Sequence, residues 1–227
     1  YKFIDDYEPD HIFLNGDMVD GYQLTHYPKS PFEDLEQTVE KEMNKMYDFL
    51  TEIRDLAPQA KITWIWGNHE FRLTRYNYEN VPHLAWLLQD VMEKQVKTAD
   101  LDVEVIKLDR KFARFADTYT EYKGYLVGHF DKVSKHSAYT AKGLVDDKGI
   151  SIIQSHTHRA GSHYKTVHGG KLIEGHEIGS MCTEMAYKVE PNWQTGWGIL
   201  ETIKDTTNFY QIIIKNNKFV FNGKLYS

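Results

Sequence analysis

The 227 residues fit one large domain, or a domain with a small appendage, and the 41% apolar content is enough to bury a sizeable core. No apolar run approaches the length needed to cross a bilayer, so no membrane partner is expected. The net charge of −6, from 27 basic and 33 acidic residues, excludes a generally basic nucleic-acid-binding surface but leaves open a nucleic acid gripped locally. The single Cys182 excludes an intrachain disulfide and fits a reducing, cytoplasmic compartment.

In chain order, residues 1–7 read as the last turns of an amphipathic helix. The chain is therefore expected to begin inside a domain, with a strand upstream of residue 1. His11-Ile12-Phe13-Leu14 reads as a short strand after the turn signal Glu8-Pro9-Asp10. It leads into Asn15-Gly16-Asp17, which puts the Asp17 carboxylate at a strand end. There it can bind one cation, bridge two, or simply close an Asx turn. Ser30-Pro31-Phe32-Glu33 carries a helix-start signal. Leu35, Val39, Met43, Met46, Phe49 or Leu50, Ile53 and Leu56 then form an apolar stripe up to Ala57-Pro58. The methionines lie on that stripe and read as core.

Residues 61–66 alternate and are rich in β-formers, so they predict a second strand, ending in Gly67-Asn68-His69-Glu70. Asn68 can offer an amide oxygen to a hard cation, and His69 a proton. Arg72 and Arg75 fall on the following helix, facing an anion or solvent. Leu84, Leu87, Leu88 and Val91 predict a further helix from about residue 82. A strand is expected near 103–106. A strand over 125–127 ends in Gly128-His129, and a helix capped by Ser134 should run to Lys148 with His136 on it. The run 150–154 is an apolar strand that ends in Ser155-His156-Thr157-His158. A His-x-His pair alone carries little weight, because two surface histidines would look the same. After residue 160 the pattern is all-β, with a hairpin signal at Gly169-Gly170, strands near 196–200 and 209–214, and a last turn at Asn222-Gly223.

Four polar clusters thus follow four strands. In a layered α/β domain, strand ends of like direction converge on one edge, where ligand sites are built. Asp, Asn and three His make a mixed oxygen and nitrogen set suited to Mn2+, Fe or Zn2+. Gly16-Asp17 with Asp20-Gly21, Gly67-Asn68-His69-Glu70, Gly128-His129 and His156-Thr157-His158 resemble, in order, the motifs of the calcineurin-like metallophosphoesterases. The likeness is closest to a bacterial and phage-type subgroup, on the stretch 133–141.

The resemblance implies an α/β fold, a two-layer β-sandwich of mixed sheets flanked by helices, formed by a single domain over 1–227 that is truncated at its N-terminus. It implies two divalent metals, Mn2+ first, with Fe, Zn2+ or Ni2+ as alternatives. Carried over by motif, Asp17 would bridge both metals. Asn68, His129 and His156 would complete one site, and His158 would belong to the other. His69, oriented by a carboxylate, would be the catalytic proton donor, with Asn68, His69 and Arg72 touching substrate. The activity would be hydrolysis of a phosphomonoester or phosphodiester, with nucleic acid among the substrates left open. Oligomeric state is not indicated.

This sequence departs from the family in two ways. The opening Asp-x-His motif is not present before Asp17, so a non-catalytic binding or scaffold module with a degenerate metal site is the alternative expectation. Ser155 and Phe130 stand where the family usually has Gly, which is tolerable if φ stays negative there.

Overall fold

A computed structural model describes residues 1–25, 38–107, 118–182 and 192–227. The chain divides into two compact units, Tyr1–Thr118 and Tyr119–Ser227.

In the first unit, α1 (Lys2–Tyr7), β1 (His11–Asn15), α2 (Val39–Leu56), β2 (Lys61–Ile65), α3 (Glu70–Asn80), α4 (Val91–Val96) and β3 (Val103–Ile106) follow one another. The three strands pair in parallel in the order β1-β2-β3. Register places Leu14 beside Trp64 and Trp64 beside Val105. Because strand side chains alternate, Ile12, Leu14, Ile62, Trp64, Val103 and Val105 share one face. Met43, Met46, Leu50 and Ile53 of α2, spaced three or four apart, pack with that face in one core. Both methionines are buried there, as their place on the stripe predicts.

The described helix α2 is capped by Thr38, whose Oγ accepts the Lys41 N–H at 3.1 Å. The start signal at Ser30-Pro31-Phe32-Glu33 and the apolar Leu35 lie outside the described residues. Near its C-terminus, the Arg54 guanidinium donates to the carbonyls of Ala60, Leu101 and Asp102 at 2.7–3.0 Å. This ties the helix end to the segments entering β2 and β3.

The helix expected from residue 82 is corrected. The chain instead makes a 3-10 turn at Ala85–Leu88 and then the separate α4. Leu84 and Leu87 remain about half exposed (51% and 54%), with only Ala85 of the turn buried. Helical spacing without a face to pack against does not sustain a helix.

In the second unit, β4 (Tyr119–Tyr122), β5 (Tyr125–Gly128), α5 (Tyr139–Lys148), β6 (Ser151–Gln154), β7 (Ala160–Thr166) and β8 (Leu172–Ile178) build a five-stranded sheet in the order β4-β5-β6-β8-β7. Its centre, β5-β6-β8, is parallel, and both edge strands pair antiparallel. Leu126, Phe130, Leu144, Val145, Ile152 and Ile173 form its core. Helix α5 lies so close to β8 that a Cβ on Gly175 would meet Val145 Cγ2 at 2.7 Å and the Ala141 carbonyl oxygen at 2.8 Å. Two hairpins complete the unit: β9 (Gly196–Ile203) with β10 (Thr206–Ile213), and β11 (Phe219–Phe221) with β12 (Lys224–Tyr226). Asn222 and Gly223, both with positive φ, turn the last one as their sequence predicts.

Helix α5 starts five residues later than its expected cap at Ser134, and His136 precedes the helix rather than lying on it. The residue before the helix, Ala138, takes a left-handed φ of 67°. The backbone of β7 also passes so close that a Cβ on Gly161 would meet the Ala138 nitrogen at 2.7 Å. The fold is therefore α/β, with a parallel three-stranded and a mixed five-stranded sheet, each packed against helices.

Candidate metal centre

The first unit presents Asp17 just past β1. Gly16 and Asp17 both take positive φ, 83° and 58°, so the chain turns sharply there. For a non-glycine residue that conformation costs about 1–2 kcal/mol. The fully buried Glu70 carboxylate holds the turn in place. It accepts N–H groups from Asp17 at 3.0 Å, Met18 at 2.6 Å, Val19 at 3.4 Å and Gly67 at 2.8 Å. One side chain thus satisfies four backbone donors from the two loops that carry Asp17 and Asn68.

Asn68 follows Gly67 and is half-buried between the end of β2 and His69. The His69 backbone N–H donates to Asp17 Oδ1 at 3.0 Å. Its ring is held from both sides: Nδ1 lies 2.8 Å from Asp20 Oδ1, and Nε2 lies 3.0 Å from an Arg72 Nη. A guanidinium only donates. Nε2 therefore accepts, and the ring proton of this arrangement sits on Nδ1, facing Asp20. Arg72 also donates to the Asp20 carbonyl at 2.8 Å and to its carboxylate at 3.0 Å. The Asp20 carboxyl is held below the usual range, first by the hydrogen bond from His69 and then by Arg72, against an opposing push from burial. Behind it, Glu42 accepts the Gly21 N–H at 2.7 Å, and burial raises its pKa.

The second unit presents the imidazoles. His129, 1% exposed, follows β5, and His156 follows β6 by two residues. The two rings meet edge to face with centroids 4.9 Å apart, and His129 Nε2 lies 3.0 Å from His156 Nδ1. Ser155 Oγ lies 3.0 Å from His129 Nδ1. Thr157 turns the other way and donates to Glu177 at 2.7 Å. Glu177 is fully buried and also accepts the Thr140 and Ala141 N–H groups at the start of α5, at 3.0 and 3.3 Å. His158 takes a φ of 57° and packs edge-on against Trp193, with centroids 5.1 Å apart. The condition of a negative φ is not met at Phe130: its φ is 54°, and the buried ring stacks on Tyr119. Burial of the ring in the core offsets that strain.

The Asp17 carboxylate of the first unit and the His129 and His156 imidazoles of the second are an Asp/His/His set of donor types suited to a divalent ion. One carboxylate and two imidazoles suit a borderline transition metal. His158 is not a member of this set. Among the other basic residues, Arg75 pairs with Glu79 in the first unit, and in the second Lys132 pairs with Asp147 and Arg159 donates to the Ser134 carbonyl. Lys135 is exposed. Residue types and strand ends pick out Asp17, Asn68, His69, His129 and His156. They assign no role to Glu70 or Glu177, whose only signal is a charge placed next to a glycine-bearing loop or a strand end.

No helix among the described residues is long and apolar enough to cross a membrane. Two phage proteins are similar to this chain over 99% of its length and 89% of their own. The Gene 54 protein of Mycobacterium phage D29 is 25% identical over 232 residues. The Gene 54 protein of Mycobacterium phage L5 is 23% identical over 232 residues. The family model described as calcineurin-like phosphoesterase matches residues 1–176, and on that match the chain belongs to the calcineurin-like phosphoesterase family.

Proposed function

We propose that this chain binds a phosphoester at a divalent-cation centre and hydrolyses it, with residues 1–227 serving as one metallophosphoesterase domain. The observation that carries the reading is the arrangement of His69 between Asp20 and Arg72, built on the same Glu70 anchor that shapes the Asp17 loop. In this reading Asp17, His129 and His156 are the principal ligands, Asn68 adds an amide oxygen, and His158 is a further ligand. A bound cation such as Mn2+ would supply Lewis acidity and a water of lowered pKa. His69 is oriented through Nδ1–H by Asp20, and a second proton taken up on Nε2 would be the one given to the leaving oxygen, the ring returning to its neutral form. Arg72 occupies Nε2 here, and an arriving phosphate is an anion that a guanidinium can follow in bidentate fashion. The reading covers monoesters and diesters, nucleic acid among them.

A second reading is a non-catalytic binding module with a single-ion site. Asp17, His129 and His156 together would account for one ion, which favours it over a dinuclear mechanism. Metal stoichiometry and turnover separate the two. The experiment measures bound Mn2+ per chain together with hydrolysis of bis-p-nitrophenyl phosphate and p-nitrophenyl phosphate, for the wild type and His69→Ala. Turnover that depends on His69 supports the enzyme, with one or two ions bound deciding the mechanism. One ion bound with no turnover of either ester rejects the enzyme and leaves the binding module.

A further inference from the structure

Both ring nitrogens of His129 have polar neighbours inside the second unit. Nδ1 lies 3.0 Å from Ser155 Oγ and Nε2 lies 3.0 Å from His156 Nδ1. A neutral imidazole carries one N–H, so a single proton lies between the two rings. Two arrangements satisfy this contact. In the first, Ser155 donates to His129 Nδ1, and His129 Nε2–H donates to His156. In the second, His129 Nδ1–H donates to Ser155, and His156 Nδ1–H donates to His129. A cation held by Nε2 of His129 and Nδ1 of His156 needs a lone pair on both. That state requires the His129 proton on Nδ1, as in the second arrangement, with the His156 proton moved to its Nε2. A serine hydroxyl is both donor and acceptor, and it changes role by rotating about one bond. It can therefore follow His129 through all three states without moving the ring. The glycine usual at this position in the resembling family offers neither role.

The backbone keeps that hydroxyl in place. The Ser155 carbonyl accepts the His158 N–H at 3.0 Å, which closes the turn. Thr157, anchored to buried Glu177, fixes the far side of the turn.

We propose that Ser155 is a positioning residue for His129: its hydroxyl holds the imidazole with Nε2 toward His156 and accepts the Nδ1 proton when the pair takes up a divalent cation. This rests on the cation-binding reading above. Partners on the second ring nitrogen of a ligating histidine typically change metal affinity by about 10- to 100-fold.

The test is calorimetric titration of Mn2+ and Zn2+ into the metal-free full chain, for the wild type, Ser155→Ala, Ser155→Gly and Ser155→Thr. Long-range 15N–1H spectra of the His129 ring are recorded alongside. Ser155→Ala and Ser155→Gly should bind the ions about 10- to 100-fold more weakly, and Ser155→Thr, which keeps the hydroxyl, should restore binding. The cation-loaded wild type should show His129 as a single tautomer protonated at Nδ1, and Ser155→Ala a mixture. Ser155→Gly keeps the turn should Ser155→Ala misfold. Equal affinity in the wild type and a folded hydroxyl-free variant overturns the proposal while the cation reading stands. A wild type that binds neither ion overturns both.

Discussion

The buried Glu70 carboxylate accepts the Met18 N–H at 2.6 Å, and through this contact a residue on α3 shapes the loop that carries Asp17. Its two oxygens divide four donors: Oε1 serves Met18 and Val19, and Oε2 serves Asp17 and Gly67. Glu70→Gln keeps the shape but turns an NH2 toward two of those N–H groups. Glu70→Ala leaves all four without this partner. An unsatisfied buried donor costs about 1–3 kcal/mol. Urea unfolding should show Glu70→Ala destabilised by at least about 3 kcal/mol, with Glu70→Gln intermediate, and both should bind Mn2+ more weakly. Wild-type stability and metal affinity in Glu70→Gln would show that the carboxylate does not hold the loop.

The strand ends, and the candidate ligands that stand after them, are legible in the sequence, because buried strands are apolar runs and glycine marks the turn. The α2 stripe was legible for the same reason, down to Met43 and Met46. Glu70 and Glu177 were not, since a carboxylate that caps backbone N–H groups carries the same letter as a solvated one. The turn at Ala85–Leu88 is not legible, because periodicity reports a face without reporting what covers it. The late start of α5 and the positive φ of Phe130 depend on backbone packing by residues distant in the chain. The short β4 lacks a contrast with its flanks, and only its pairing with β5 defines it.

His11 gives the fold a pH dependence in the mildly acidic range. Burial first, and Lys61 second, push its pKa down from 6.5 to about 4. Nε2 can donate to Thr63 Oγ at 2.8 Å while Thr63 donates to Glu104 at 2.8 Å, so the neutral ring is already satisfied. Between these two pKa values the unfolded chain binds more protons than the folded one. Stability therefore rises with pH across that window. It should be fully present above about 6.5 and fall as the pH drops toward about 4. Denaturant midpoints measured from pH 7 to 4 should show the slope, and His11→Gln should flatten it. An identical slope in His11→Gln would place the effect elsewhere.

Phe130 sets two terms against each other. Glycine there would relieve the left-handed strain, worth about 1–2 kcal/mol, but would remove a ring that is 1% exposed and stacked on Tyr119. Losing a buried phenylalanine costs about 3–5 kcal/mol. Burial wins, so Phe130→Gly should be destabilised. Phe130→Ala should be worse, because it keeps the strain and loses the ring. A Phe130→Gly melting temperature at or above the wild-type value would reverse the order of the two terms.

Gly175 links packing to the candidate site. A Cβ there meets the Ala141 carbonyl and Val145, so Gly175→Ala must push α5 away from β8. Overpacking of this kind costs about 1–3 kcal/mol. The same shift would strain the tie between Glu177 and the Thr140 and Ala141 N–H groups, and with it the Thr157 anchor beside His156. Gly175→Ala should therefore lose stability and also bind Mn2+ more weakly. Lower stability with unchanged metal affinity would uncouple the α5–β8 contact from the histidine turn.

Arg72 tests how His69 is used. In this structure its guanidinium donates to His69 Nε2 and to Asp20, so the nitrogen proposed to serve the leaving oxygen is engaged. Substrate phosphate offers the guanidinium a stronger partner than a neutral imidazole, and its move would release Nε2. Removing the guanidinium then has two opposed effects: Nε2 is free from the start, but an anion contact is lost. Hydrogen bonds to charged groups are worth about 1.5–3 kcal/mol, or about 10- to 150-fold in kcat/KM. The lost contact should dominate. Arg72→Met should raise KM for bis-p-nitrophenyl phosphate by roughly that factor, with kcat held or slightly increased. Arg72→Lys should recover part of KM without the bidentate geometry. A fall in kcat with unchanged KM would show that Arg72 acts by holding the Asp20–His69 pair rather than by meeting the phosphate. A rise in kcat/KM would make it a brake on His69.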